Sequence, residues 1–368
     1  MPNISQARKK HLNAEVISPF SGPWDTSFFT RKAIFVFEEW LNQALICESY
    51  EDRSLSYLKS SVQNSSDPKL VEDYYLKYAE LDGRNELQKV IEQGAIDFSK
   101  CPPDISDLHS MIPLDAMPKL FTSKKNLDLL SSLQEAWVNY GFIVLQNALK
   151  DDLIDSYLKL RNDHGCHFNG SDFSEFTEIR NLFCNSYIAN TLRLLTGGDV
   201  SLYIVFAHSL TSTERPWHQD QYLIGDNIYG SSVSAWVALG DVTEDQGPFQ
   251  LIPGSHRFGI LDYDKASCYL NSDCRIGESR GSLWTSYTHL LTSQAYSKLF
   301  LNKGIKSYSF TPRKGDLLIS HPRLIHRAGL PSGINNRPGI IGQWTTFDSP
   351  LASGKLKKDT KESGWFWY

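Results

Sequence analysis

Two potential metal ligands, an imidazole and a carboxylate, are separated by a single residue in the segment Trp217-His218-Gln219-Asp220. In an extended strand, residues two apart point to the same side, so His218 and Asp220 could reach one metal ion. The triplet alone is weak evidence, because a chain with 10 histidines and 42 acidic residues is expected to contain one by chance. A metal site therefore needs a further ligand from elsewhere in the chain.

His326 is the best candidate for that further ligand, because it closely follows a predicted strand at 315–320. Two histidines and one carboxylate on one face of a metal ion leave positions open, as in non-haem Fe(II) oxygenases. Arg337 follows eleven residues later, and its guanidinium could bind one end of a dicarboxylate through two hydrogen bonds. His321 competes with His326 as the third ligand, but strand alternation and the spacing to Arg337 favour His326.

The first part of the chain has the hydrophobic periodicity of α-helices. Apolar residues recur at helical spacing over 28–50, 69–81 and 84–93, and Cys101-Pro102-Pro103 then breaks the pattern. We predict that residues 1–105 form a helical N-terminal extension packed on a main domain of residues 106–368. Further helices are predicted at about 130–140, 151–163 and 187–195.

Most of the predicted strands lie in the second half of the chain. Strands are predicted at 142–145, 201–210, 232–239, 249–252, 308–311, 317–320 and 339–346. Many short strands after a run of helices predict a mainly β sandwich or barrel with helices packed outside. The polar segment 261–304 interrupts the strands, and we predict that it is an insertion, or lid, over one mouth of the barrel.

Composition excludes several classes of function. A net charge of −5 without a long basic run disfavours nucleic acid as a partner. No stretch of 18 apolar residues could span a membrane, and no apolar run follows the N-terminal basic residues as in a secretory signal. The 6 cysteines form no Cys-x-x-Cys pair, so reduced thiols and a cytoplasmic location are predicted. The sequence leaves the oligomeric state open.

The motifs around these candidates resemble the phytanoyl-CoA dioxygenase family of Fe(II)/2-oxoglutarate-dependent oxygenases. The segment 217–220 resembles the iron-binding motif of that family. The segment 246–256 resembles its Asn-Gly to Pro-Gly-Ser-His segment, with Gln246 in place of Asn. The segment 315–321 and His326 resemble the strand and ligand that close the site. The resemblance covers roughly 125–347. It departs from many relatives at Ala328, where they carry a serine.

The resemblance implies a fold and a set of site residues. The fold would be a double-stranded β-helix (a jelly roll, cupin-like) that holds Fe(II) on His218, Asp220 and His326. Arg337 would bind the far carboxylate of 2-oxoglutarate, and Trp236 would lie beside this cosubstrate. A carboxylate at 220 disfavours a radical halogenase, because halogenases of this fold lack it so that chloride can bind the iron.

The resemblance also implies a reaction. With dioxygen as oxidant, the protein would oxidise an unactivated C–H bond of a small-molecule substrate and release succinate and CO2. Hydroxylation, desaturation and radical cyclisation share this start. The long N-terminal extension favours a role in specialised metabolite biosynthesis over lipid breakdown.

Two other functions and two structural interpretations stay open. Zinc on the same three ligands could activate water for hydrolysis. The fold could also serve a binding protein without turnover. Trp236 could simply belong to the core, and His256 could hold the Pro-Gly-Ser-His turn rather than take part in chemistry.

Overall fold

A computed structural model of the chain describes the β-rich part in most detail. The described residues are mainly 140–165, 171–196, 199–206, 215–220, 232–253, 307–329, 337–347, 356–358 and 364–367, with short pieces elsewhere. Most of the predicted N-terminal extension 1–105 and of the predicted insertion 261–304 lies outside this part. The division of the chain at residue 105 and the lid therefore stay predictions.

The described elements are three α-helices, short 3-10 helices and strands. The α-helices are α1 Asp151–Asp163, α2 Thr177–Phe183 and α3 Ser186–Thr196. The 3-10 helices are Asp172–Ser174, Glu244–Gln246 and Ser255–Arg257. The strands are β1 His109–Ser110, β2 Phe142–Leu145, β3 Val200–Phe206, β4 Arg215–His218, β5 Ser232–Ala238, β6 Phe249–Leu251, β7 Ile260–Leu261, β8 Tyr308–Phe310, β9 Leu317–Ser320, β10 His326–Ala328, β11 Gly339–Thr346, β12 Leu356–Lys358 and β13 Trp365–Trp367.

Two sheets form the core of the described structure. The small sheet has the strand order β4-β10-β6-β8, and the large sheet has the order β12-β13-β3-β11-β5-β9-β2. Every pairing in them is antiparallel except that of β13 with β3. The sheets face each other: Trp236 of β5 meets Phe310 of β8 edge to face, with ring centroids 5.6 Å apart. This architecture confirms the predicted mainly β, jelly-roll fold.

Helices cover the outer face of the large sheet. Phe183 at the end of α2 packs edge to face on Trp344 of β11, with centroids 5.7 Å apart. The same ring lies over Gly342, where an added Cβ would stand 2.7 Å from Phe183 Cδ1. Glycine thus lets the helix approach the strand closely, as expected where ring and backbone meet. Because alternate strand residues point to opposite faces, Gln343 between them points inward.

Several predicted elements have the predicted bounds. The strands 142–145, 317–320 and 339–346 and the helix 151–163 coincide with β2, β9, β11 and α1. The strand predicted at 201–210 is described as β3 only to Phe206, and the following residues lie outside the described part. The helix α2 was not predicted, because its 7 residues give too short a periodic pattern to stand out.

The aromatic C-terminal segment packs on the large sheet as β13. Trp365 and Phe366 pair in parallel with Ser201 and Leu202 of β3. The Phe366 side chain is buried and meets Phe173 edge to face, with centroids 6.4 Å apart. The strand β13 was not predicted from the sequence, because its three residues are too few to show a pattern of alternation.

Among the described residues, no helix is both long and apolar enough to cross a membrane.

Candidate metal centre

The pairing of β4 with β10 brings two histidines together. His218, the last residue of β4, is the Cα partner of His326, the first residue of β10. Their imidazole centroids lie 4.2 Å apart, and both side chains are buried. Asp220 follows two residues after His218, and its Oδ1 lies 3.7 Å from His218 Nε2 and 3.5 Å from His326 Nε2.

The residue between the first two candidate ligands points to the opposite side. Gln219 is fully buried, and its Nε2 donates to the Arg323 carbonyl at 2.7 Å. This bond fixes the backbone of the His-x-Asp segment to the loop that precedes β10. Because Gln219 points away, His218 and Asp220 share the side that faces His326.

The imidazole of His326 is oriented by two neighbours, and the strand that carries it is anchored by a third contact. Its Nδ1 lies 2.9 Å from the Leu324 carbonyl, which can only accept, so Nδ1 carries the proton and Nε2 is left as a ligand atom. The Phe249 ring stacks on the imidazole, with centroids 4.9 Å apart. Next to His326, the Ile325 amide donates to Ser255 Oγ at 2.8 Å, so the Pro-Gly-Ser-His turn anchors the strand that carries the ligand.

Two of the three donor pairs, those that include Asp220, are close enough to bind one first-row transition metal ion. His218, Asp220 and His326 offer two nitrogens and one oxygen that all lie within 4.8 Å of one another. Two atoms bonded to one ion at about 2.1 Å each can stand up to roughly 4.2 Å apart. The two imidazole–carboxylate distances, 3.5 and 3.7 Å, satisfy that limit. The donor set is that of the non-haem Fe(II) oxygenases.

A row of polar side chains lies behind Asp220 on the inner face of the large sheet. Asp220 Oδ2 is 3.3 Å from Ser234 Oγ and 3.5 Å from Gln343 Nε2. The Tyr203 hydroxyl donates to Gln343 Oε1 at 2.7 Å. Burial, and secondly the negative charge of Asp220, raise the pKa of Tyr203 well above its usual value, so the hydroxyl keeps its proton.

This row of polar residues was not predicted from the sequence. Its only signal there was polar residues at alternate positions in the predicted strands. Such alternation is more often the mark of a solvent-facing side, so it did not point to the metal ligands.

The Trp236 indole of β5 lies against Gly339, the first residue of β11, which follows Arg337 by two residues. An added Cβ at Gly339, two residues after Arg337, would overlap Cζ2 and Cε2 of the Trp236 indole. Arg337 itself donates from Nη1 to the Gly247 carbonyl. The indole is 6% exposed, so its contacts are those of a core residue at one edge of the space between the sheets.

His321 stands apart from the ligand cluster. Its ring packs against Trp137 at 5.7 Å and against His256 at 5.5 Å between centroids. Its Nδ1 accepts the Arg323 amide at 3.1 Å. Burial, and secondly the neighbouring His256 and Arg323, lower the pKa of His321 well below its usual value. The structure therefore places His326, and not His321, beside His218 and Asp220.

The chain is similar to a curated protein and to a number of solved structures, of which two are described below. An L-proline trans-4-hydroxylase from Streptomyces griseoviridis is 26% identical over 174 residues, which are 44% of this chain and 59% of that protein. The chain thus matches about three fifths of the relative's length.

The solved structures align at low identity. The epimerase SnoN in complex with Fe3+, alpha ketoglutarate and nogalamycin RO gives a TM-score of 0.43 at 17% identity, covering 58% of this chain and 82% of SnoN. EctD from S. alaskensis with bound Fe gives 0.42 at 17% identity, covering 61% of this chain and 81% of EctD.

The profile of the family described as Phytanoyl-CoA dioxygenase (PhyH) matches residues 160–332. The matched segment is narrower than the 125–347 expected from the motifs. It contains His218, Asp220 and His326, and Arg337 lies five residues beyond its end. The match confirms the resemblance that the motifs carry: the segment 160–332 matches the phytanoyl-CoA dioxygenase family.

Proposed function

We propose that this protein is an Fe(II)- and 2-oxoglutarate-dependent dioxygenase acting on a small molecule. The convergence of His218, Asp220 and His326, inside a segment that matches the phytanoyl-CoA dioxygenase family, carries the proposal. Iron, 2-oxoglutarate and dioxygen together would oxidise an unactivated C–H bond of the substrate, with succinate and CO2 as coproducts.

The protein's own part at the metal is to hold three donors in place. His326 Nε2 faces the cluster because Nδ1 is bonded to the Leu324 carbonyl. Gln219, bonded to the Arg323 carbonyl, fixes the segment that carries the other two donors. With donors fixed in advance, metal binding costs little reorganisation, which favours affinity.

We assign the cosubstrate's far carboxylate to Arg337. A guanidinium presents five N–H donors in a planar fork that matches a carboxylate, and Arg337 uses Nη1 to donate to the Gly247 carbonyl. Trp236 packs against Gly339 and Phe310, so its indole would form a rigid wall near this arginine. Ala328 offers no hydroxyl there, which leaves Arg337 as the main anchor of this end.

The substrate is proposed only as a class. The named activity of the curated relative makes free amino acids the first group to screen. Amino acid derivatives, terpenoids, alkaloids and acyl thioesters of specialised metabolism follow. The reaction on that substrate would be hydroxylation, or desaturation or ring closure, depending on how the substrate sits beside the metal.

Anaerobic titration of the purified protein with Fe(II) and then 2-oxoglutarate tests the proposal. The expected result is a visible charge-transfer band of the iron–2-oxoglutarate chelate, which is absent in His326→Ala. A matched control is His164→Ala, which removes an exposed imidazole at the C-cap position of α1. Succinate formation in air, stimulated by candidate substrates, then gives the turnover.

The same titration separates the two other functions. Tight zinc binding, no charge-transfer band with iron and hydrolysis of an ester or amide probe would favour the zinc hydrolase. Absence of metal binding and of 2-oxoglutarate consumption would favour a binding protein of the same fold.

A further inference from the structure

The two carboxylate oxygens of Asp220 have different partners. Oδ1 faces the imidazoles, at 3.7 Å from His218 Nε2 and 3.5 Å from His326 Nε2. Oδ2 faces the large sheet, at 3.3 Å from Ser234 Oγ and 3.5 Å from Gln343 Nε2. One oxygen therefore belongs to the ligand cluster, and the other belongs to the row of hydrogen-bond donors behind it.

The donors in this row point in one direction, toward Asp220. Because Gln343 Oε1 accepts the Tyr203 hydroxyl at 2.7 Å, the amide nitrogen must lie on the other side. That nitrogen reaches Ser234 Oγ at 3.0 Å as well as Asp220 Oδ2. Ser234 accepts from the amide, so its own proton is left for the carboxylate.

A β-bulge brings Tyr203 into this row. Gln343 pairs with Ile204, but the next residue, Trp344, pairs with Leu202, so Tyr203 is an additional residue in β3. Bulges are frequent beside active sites, where they turn a side chain toward a position that regular pairing would not reach. The bulge here places the Tyr203 hydroxyl on Gln343.

We propose that Tyr203, Gln343 and Ser234 are positioning residues that keep Asp220 Oδ2 off the metal, so that Asp220 binds the ion through Oδ1 alone. The inference rests on the proposed Fe(II) site. A carboxylate that bound through both oxygens would occupy one of the open positions that the cosubstrate and dioxygen need. The row of donors thus preserves the number of open positions, as well as the orientation of the ligand.

The test uses three variants and two matched controls. Tyr203→Phe, Gln343→Met and Ser234→Ala each remove one member of the row with little change in volume. Tyr308→Phe removes the hydroxyl of a buried tyrosine in β8, on the small sheet. Ser201→Ala removes a buried serine on β3, whose hydroxyl donates to the Thr345 carbonyl at 3.3 Å.

Co(II) alone is the probe, with two readouts that do not depend on turnover. The Kd for Co(II) is expected to rise about 10-fold or more in Gln343→Met, the range found when a ligand's hydrogen-bond partner is removed. The visible d–d spectrum and the separation of the carboxylate stretching bands are expected to change toward binding through both oxygens. Tyr203→Phe should show a smaller effect, and adding it to Gln343→Met should weaken binding no further.

The outcomes separate the inference from the proposed function. A wild-type protein that binds neither Co(II) nor Fe(II) would contradict the proposed metal site itself. Metal binding with wild-type Kd and spectrum in all three variants would overturn the positioning role and leave the metal site standing. Equal losses in the two control variants would overturn it too, since packing alone would then explain the effect. If Gln343→Met does not fold, Tyr203→Phe decides, because it retains the ring.

Discussion

His218 and His326 stand directly opposite each other in the antiparallel pairing of β4 with β10, with imidazole centroids 4.2 Å apart. On its other side His326 pairs with Leu251 of β6, so β10 is held between two strands. Because a slip of one residue would turn every side chain to the other face, the register of these pairs determines whether the two imidazoles meet. The geometry of the candidate metal centre is therefore a property of the strand pairing.

The first prediction concerns the three candidate ligands. His218→Ala, Asp220→Ala and His326→Ala should each abolish the charge-transfer band with Fe(II) and 2-oxoglutarate. Each should reduce succinate formation by more than about 100-fold, since even the removal of a ligand's supporting partner costs up to that much. Asp163→Ala is the control for the carboxylate, because Asp163 pairs with Lys159 on the exposed side of α1. Undiminished activity in any ligand variant would remove that residue from the site.

The second prediction concerns Arg337. Arg337→Gln should raise the KM for 2-oxoglutarate by roughly 30–150-fold, the equivalent of about 2–3 kcal/mol for lost hydrogen bonds to a charged group. Arg337→Lys should lie between, because lysine keeps the charge without the planar fork. Arg313→Gln, at an exposed arginine, is the matched control. An unchanged KM in Arg337→Gln would show that another residue anchors the cosubstrate.

The third prediction tests the contact between Trp236 and Gly339. In Gly339→Ala the new Cβ would overlap the indole, so the free energy of unfolding should fall by about 1–3 kcal/mol, as for other overpacked cores. Adding Trp236→Leu should recover part of the loss, because it removes the overlapping ring. Denaturant unfolding of both variants and of Gly240→Ala, where the new Cβ would stand 3.0 Å from Pro338 Cγ, provides the comparison. A loss in Gly339→Ala that Trp236→Leu does not relieve would contradict the contact.

The fourth prediction concerns pH and His321. Because burial lowers its pKa well below 6.5, the folded protein keeps His321 neutral while the unfolded chain binds a proton below about pH 6.5. Its contribution to the free energy of unfolding is therefore constant above that pH and decreases as the pH falls below it. Between pH 6.5 and 5.5 the expected loss is about 1 kcal/mol.

His321→Asn should remove this pH dependence. An asparagine oxygen can accept the Arg323 amide as Nδ1 does, and it does not titrate in this range. Denaturant unfolding at both pH values measures the difference, and His164→Asn shows the effect of losing an exposed imidazole. If wild type and His321→Asn lose the same stability over this pH unit, the prediction is wrong.

The sequence predicted the strands and the candidate ligands for identifiable physical reasons. Strands such as 317–320 and 339–346 are bounded by turn residues and rich in β-formers, so their ends could be placed. The His-x-Asp spacing already required that His218 and Asp220 share one side of an extended segment. His326 could be chosen over His321 by strand alternation and by the spacing to Arg337, and the structure places His326 in the cluster.

The residues that the sequence did not reveal depend on tertiary pairing. Tyr203 meets Gln343 because of a register shift between β3 and β11, and no feature of either strand marks that shift. Ser255 accepts a hydrogen bond from the Ile325 amide, which lies 70 positions later in the sequence. Nothing in the sequence of the Pro-Gly-Ser-His turn indicates that long-range bond. Short strands such as β13 were missed because their stability comes from the neighbouring β3 and not from their own pattern.

Asp220 lies where the two sheets meet, and each of its carboxylate oxygens has partners on a different sheet. The imidazoles come from β4 and β10 of the small sheet, while Ser234 and Gln343 come from the large one. The carboxylate of Asp220 thus links the two sheets. The spacing between the two sheets therefore helps to set the geometry that Asp220 presents to a metal ion.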